Sequence, residues 1–162
     1  MNKSRIQGAA ISAGIALLTG FLSSMLSGGG QMTTYQTITQ PPYAPPGWLF
    51  GVVWPVLYIL MGIAAYLVYS TCAKQEDKRK ALLTYGLQLF VNFSWSIIFF
   101  RFQEYGIAAV VLALLLFLVT LTITFFYHVN TTAALLLIPY YLWLLFAYYL
   151  NIGVALLNPA VG

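Results

Sequence analysis

Residues 106–127 read GIAAVVLALLLFLVTLTITFFY, a run long enough to cross a bilayer with no charged side chain in it. At 1.5 Å rise per residue, about 20 apolar residues span the hydrocarbon layer. Working outward, four more stretches have the same character: 6–27, 48–71, 81–101 and 133–157. Together they take up most of the 162 residues. The chain as a whole is 61% hydrophobic and 6% charged. An average soluble domain carries about 25% charged residues because its surface faces water. So few charges cannot solvate a globule of this size, and lipid must cover most of it. The expected fold is all-α: a single integral membrane domain, 1–162, of five transmembrane helices.

The breaks between spans are short and polar. Gly28-Gly29-Gly30 opens a loop, 28–47, that ends in Pro41, Pro42, Pro45 and Pro46. Lys74 to Lys80 holds most of the charge and reads as a second loop. Arg101 to Tyr105 and His128 to Thr132 are tight turns. Short connections make neighbouring helices antiparallel, in an up-down bundle. Lys3, Arg5, Lys74, Lys78, Arg79 and Lys80 fall on one side of such a topology, and only Arg101 on the other. The excess of cations predicts a cytoplasmic N-terminus, with the C-terminus and the 28–47 loop outside. The basic start followed by apolar residues also resembles a signal peptide, but 6–27 is long enough to span and is expected to be retained.

Net charge of +4 from scattered residues does not make a nucleic-acid surface, which needs clustered cations. The single cysteine, Cys72, excludes an intramolecular disulfide. No His, Cys, Asp or Glu cluster has metal-ligand spacing, and no metal or resident cofactor is expected. His128 is the only histidine and falls at a predicted helix end. The carboxylates Glu76, Asp77 and Glu104 all fall in expected loops, so conventional acid–base catalysis lacks its groups.

The informative residues are aromatic and amide-bearing. On the third span, Gln88, Asn92, Trp95 and Phe99 fall at steps of four, three and four, hence on one helix face. On the second span Gly51, Trp54, Tyr58, Met61 and Ala65 share a face, and on the fifth Tyr140, Trp143, Ala147 and Asn151 do so. Amides facing lipid are costly, so these stripes are expected to point inward. Two readings follow. The stripes pack against one another, or they line a pocket for a flat, mostly apolar ligand. Pro55 removes one helical hydrogen bond and presses on the carbonyl of Gly51, the least bulky residue for that position. On the first span, Gly8, Ser12, Ala16, Gly20, Ser24 and Gly28 recur every fourth residue. This flat face allows close approach of another backbone, within the chain or from a second copy.

At these residues the chain resembles the translocator protein family, also called tryptophan-rich sensory proteins (TspO/MBR, peripheral-type benzodiazepine receptor). The resemblance covers nearly the whole chain. It is carried by Gln40-Pro41-Pro42-Tyr43-Ala44-Pro45-Pro46-Gly47-Trp48 in the first loop and by Phe50-Gly51-Val52-Val53-Trp54-Pro55-Val56-Leu57-Tyr58. Further along come Asn92-Phe93-Ser94-Trp95, Phe99-Phe100, Pro139-Tyr140, Leu142-Trp143, Phe146-Ala147 and Leu150-Asn151. It implies a five-helix bacterial cell-membrane protein, often a homodimer, that binds porphyrins and related tetrapyrroles, and some sterols or benzodiazepine-like ligands. The ligand-binding residues carried over are Trp54, Tyr58, Asn92, Trp95, Phe99, Trp143, Ala147 and Leu150. Gln88, Tyr140, Phe146 and Asn151 join them as neighbours on the same faces. The loop would act as a lid through Tyr43, Pro45, Pro46 and Trp48. The resemblance also ties Trp54 and Trp143 to light- and oxygen-dependent porphyrin breakdown. A third possibility is a structural or regulatory membrane partner. The chain departs from the family pattern at Thr34, Gln40 and Tyr43, and it ends without the cation of the animal sterol motif.

Overall fold

A computed structural model of the chain describes residues 3–28 and 31–159. Seven α-helices follow one another: α1 (Lys3–Leu26), α2 (Gln31–Thr37), α3 (Trp48–Ser70), α4 (Gln75–Ser96), α5 (Tyr105–Val129), α6 (Thr131–Leu136) and α7 (Ile138–Leu157). A π-helical turn, Ile97–Arg101, extends α4. Counting α4 with its π turn and α6 with α7 as single crossings, five helical segments are long and apolar enough to span a membrane. The chain is a five-helix integral membrane bundle.

Burial follows the sequence pattern in an inverted sense. Ile11, Ile15, Phe90, Val110, Phe117, Leu142 and Leu156 all point outward. A contiguous apolar exterior of this kind is stable only against lipid. The interior holds Met61, Ala64, Val68, Leu112, Leu115, Phe126, Tyr140 and Leu144, fully enclosed.

α1 lies along α3, and the small-residue face of α1 is what lets it. A Cβ added at Gly8 would strike the Tyr66 ring, and one at Gly20 the Tyr58 ring. From the other side, a Cβ at Gly62 would come 2.4 Å from the Ala13 Cα. Of the two readings of that face, the structure shows packing within the chain.

Four boundaries differ from expectation. α4 begins at Gln75 rather than at residue 81, so Glu76 to Lys80 are helical and not a loop. A hydropathy reading stops where charge starts, but a helix continues past the hydrocarbon once water solvates its side chains. Glu76 and Asp77 in the first turn suit the positive end of the helix dipole. Glu76 also pairs with Lys80 one turn on at 2.7 Å, an exposed contact that adds little. The expected loop 28–47 contains α2. The fifth span, expected over 133–157, starts earlier and is broken at Leu137. The Asn130 side chain caps α6 by accepting from the Ala133 N–H, and Pro139 stands in the first turn of α7. The π turn replaces the last α-helical turn expected for the third span. Gly29, Gly30 and the tail Ala160-Val161-Gly162 lie outside the described residues.

The lid end of the bundle gathers the C-terminus of α1, the N-terminus of α3, the π turn and the C-terminus of α7. Arg101 Nη1 donates to the Leu26 carbonyl at 3.1 Å, tying the π turn to α1. The loop after α2 is fastened to α7. Thr39 N–H donates to Asn158 Oδ1 at 2.9 Å, and Asn158 Nδ2 donates back to the Thr39 carbonyl at 2.8 Å. Tyr149 donates its hydroxyl to the Pro42 carbonyl at 2.8 Å, and Pro41 fills the space left by Gly153.

Candidate functional site

Beneath this lid lies a cavity of about 660 Å³. Its walls are Leu17, Gly20, Phe21 and Ser24 of α1, Gln31 and Tyr35 of α2, Gly47, and Phe50, Gly51, Trp54, Pro55 and Tyr58 of α3. Trp95, Ser96 and Phe100 complete it. The local chemistry explains the space. Gly51 has no side chain, and a Cβ there would meet nothing within 4 Å. The π turn shifts the helix register just where Phe99 and Phe100 are set.

The walls are ordered by ring contacts. Trp54 and Trp95 lie 6.4 Å apart, tilted by 32°. Trp95 contacts Phe99 at 5.4 Å and Phe100 at 6.2 Å. At the lid, Tyr35 meets Phe50 edge to face at 5.0 Å, and its hydroxyl donates to the Pro45 carbonyl at 2.8 Å. Partial burial raises the Tyr35 phenol pKa above its ordinary value, so it stays a neutral donor at physiological pH.

Under the cavity the amides form two buried hydrogen-bond systems. In the first, Tyr58 donates to Asn92 Oδ1 at 2.7 Å, and Asn92 Nδ2 donates to the Tyr140 oxygen at 2.9 Å. Tyr140 donates to Gln88 Oε1 at 3.0 Å, and Gln88 Nε2 faces Met61 Sδ at 3.8 Å. In the second, Trp95 Nε1 donates to Asn151 Oδ1 at 2.9 Å, while Asn151 Nδ2 donates to the Tyr105 carbonyl at 2.8 Å. Asn151 therefore fixes the plane of the Trp95 ring that faces the cavity.

The three stripes read from the sequence do meet inside the bundle, but they do not share the open volume equally. Trp54, Tyr58 and Trp95 line it. Gln88, Asn92, Tyr140 and Asn151 lie behind as the hydrogen-bonded layer, and Phe99 packs behind Trp95. Trp143 and Phe146 stand off the cavity, in a cluster that reaches it only through Phe50, 5.6 Å from Trp143. Trp143 Nε1 is buried with no acceptor, the one such side-chain atom among the described residues. Ala147 and Leu150 are buried in helix packing and do not line the cavity. Of the two tryptophans for which the resemblance implies an oxidative role, Trp54 lines the open volume and Trp143 does not.

The lid assignment also shifts. Tyr43 is exposed, in a left-handed backbone conformation with φ 63°. Pro45, Pro46 and Trp48 border a shallow outer groove. The residues between α1 and α3 that border the cavity of about 660 Å³ are Gln31, Tyr35 and Gly47. Sequence reasoning did not select Leu17, Phe21, Tyr35, Phe50 or Phe100 as site residues. Phe50 and Phe100 stood within the quoted motifs. Leu17 and Phe21 had no signal to separate them from lipid-facing neighbours.

Comparison with known proteins agrees with this architecture. The TspO/MBR family model matches residues 12–157. A tryptophan-rich protein TspO of Chlorobaculum tepidum is 36% identical, covering 98% of this chain and 100% of the relative. One from Archaeoglobus fulgidus is 39% identical over 88% of this chain and 91% of the relative. The human translocator protein is 36% identical over 81% of this chain and 78% of its own length. With the match running from α1 through α7, the chain belongs to the TspO/MBR family.

Proposed function

We propose that this protein is a membrane receptor or carrier for flat, mostly apolar ring ligands of the tetrapyrrole class, held in the cavity beneath the lid. The observation that carries the reading is the cavity itself. Its volume of about 660 Å³ falls within the range of roughly 300–1,000 Å³ usual for small-molecule sites. Four aromatic side chains, Phe50, Trp54, Trp95 and Phe100, offer faces and edges to a planar guest. Ser24, Gln31, Tyr58 and Ser96 supply a few polar contacts for orientation. Relatives named translocator protein support the carrier sense of the reading.

Titrating purified protein with protoporphyrin is expected to give saturable quenching of tryptophan fluorescence. Trp54→Phe and Trp95→Phe should each weaken binding by about three- to tenfold, the range of one aromatic contact. Trp143→Phe should weaken it less. Absence of saturable quenching, or a Trp54→Phe/Trp95→Phe double variant that binds as wild type does, rejects the reading.

We further place the lid and the C-terminus outside a bacterial cell membrane, with the N-terminus in the cytoplasm. The cations Lys3, Arg5, Lys74, Lys78, Arg79 and Lys80 support this, since one end of the bundle carries all of them. Cys72 is the single cysteine, is exposed and lies at that end. A membrane-impermeant maleimide should leave Cys72 unlabelled in intact spheroplasts and label it once they are permeabilised. In a Cys72→Ser background, Tyr43→Cys should label without permeabilisation. The opposite pattern inverts the topology.

A further inference from the structure

The buried hydrogen-bond chain below the cavity has a direction, and that direction is set by the residue at its end opposite Tyr58. The chain runs Tyr58 to Asn92 to Tyr140 to Gln88 to Met61, each group donating to the next. Asn92, Gln88 and Tyr140 are almost wholly enclosed, at 1%, 1% and 0% exposure. None of them can exchange a partner for water.

Each tyrosine has one proton to give, and each amide one oxygen and one nitrogen on opposite branches. Reversing any link therefore reverses them all. If Asn92 turned its nitrogen to Tyr58, its oxygen would need the Tyr140 proton. Tyr140 would then need a donor from Gln88, and the Gln88 oxygen would be left against the Met61 sulfur. A thioether only accepts, so the reversed chain ends in two acceptors facing each other in a dry interior. The observed direction ends in an N–H facing sulfur instead.

We infer that Met61, acting through Gln88, Tyr140 and Asn92, makes Tyr58 a hydrogen-bond acceptor toward the cavity and so selects planar ligands that carry an N–H or O–H donor. The Tyr58 proton is committed inward to Asn92, which leaves only oxygen lone pairs for a guest. A ligand that presents a carbonyl, ether or carboxylate there sets acceptor against acceptor. Tyr58 is the specificity residue because it lines the cavity, and Met61 is a positioning residue because it does not. This inference rests on the proposed ligand site.

Carbazole and dibenzofuran provide the probes. They share size, shape and flatness, but carbazole offers only an N–H donor and dibenzofuran only an oxygen acceptor. Both are titrated against the detergent-solubilised full chain, with protoporphyrin as a third ligand. The quantity read is the ratio of their affinities in wild type divided by the same ratio in Tyr58→Phe, which cancels unequal partition into the micelle. The expected value is about tenfold in favour of carbazole, the scale of one hydrogen bond gained against one acceptor left opposed. Met61→Leu preserves core volume but removes the sulfur, and should lower the preference several-fold while both ligands still bind. A loss of affinity for both ligands alike, with the ratio intact, would mean Met61 acts only in packing and would overturn its role. A normalised ratio near one, or below one, overturns the inference outright. So does binding of protoporphyrin with neither tricycle bound. Failure of protoporphyrin as well removes the site reading itself.

Discussion

A phenylalanine at position 51 is expected to block ligand binding and leave the bundle folded. Gly51 is in the first turns of α3 and lines the cavity, and an added Cβ there would find no atom within 4 Å. Gly51 is an exposed residue of the cavity wall, so nothing in the protein resists the substitution and the new ring takes up space at that wall. Helix propensity slightly favours the change, since glycine in a helix interior is about 0.5–1 kcal/mol worse than alanine and phenylalanine falls between the two. Extra volume forced into an occupied site costs about 1–3 kcal/mol, and about 1.4 kcal/mol corresponds to a factor of ten in affinity. Gly51→Phe should therefore weaken protoporphyrin binding by roughly one to two orders of magnitude, with an unfolding midpoint at or above that of wild type. Gly14→Phe is the control. Gly14 is exposed on the outer face of α1 and also meets nothing within 4 Å, but it does not line the cavity. Saturable binding at wild-type affinity in Gly51→Phe would mean the ligand lies elsewhere. That result would sink the cavity reading without any appeal to misfolding.

What the sequence made legible, and what it did not, follows from what each residue contributes to the pattern. Hydropathy located all five spans because lipid demands long apolar runs regardless of tertiary detail. Helical arithmetic grouped Gln88, Asn92, Trp95 and Phe99 correctly, since amides must find partners inside. It could not say which side of that face stays open. The opening depends on Gly51, the π turn and the approach of α1, and only Gly51 leaves a mark in composition. The seven residues of α2, mostly polar, carry no apolar period, and the tertiary environment holds them through Tyr35, which packs on Phe50. Trp143 shows how a shared helix face need not mean a shared open volume. It shares a helix face with Tyr140 and Asn151, but α7 lies one layer behind the cavity, and Phe50 of α3 comes between.

The backbone contact that holds α1 against α3, away from the cavity lining, also sets the largest expected loss of stability. A Cβ on Gly62 would stand 2.4 Å from Ala13 Cα and 2.6 Å from both Ala13 N and the Ser12 carbonyl oxygen. All three are backbone atoms, so no rotamer change relieves the clash and α1 must move away from α3. Gly62→Ala should destabilise the protein by about 2–3 kcal/mol, the upper part of the range for overpacking. It does so against an intrinsic helix preference that favours alanine by about 1 kcal/mol. The sign is therefore diagnostic. Gly14→Ala, with open space around it, should raise the thermal midpoint slightly. Gly8→Ala meets the outer end of the half-buried Tyr66 ring, which can swing aside, and should change little. Gly20→Ala pushes on the buried Tyr58 ring and should fall between Gly8→Ala and Gly62→Ala. Because α1 supplies Leu17, Gly20, Phe21 and Ser24 to the cavity wall, Gly62→Ala should also weaken protoporphyrin binding. Circular dichroism melts of the four variants in one detergent test the order directly. A Gly62→Ala protein that melts with or above wild type would show that α1 and α3 are not held at backbone contact, and the cavity wall they form would then lose its physical basis.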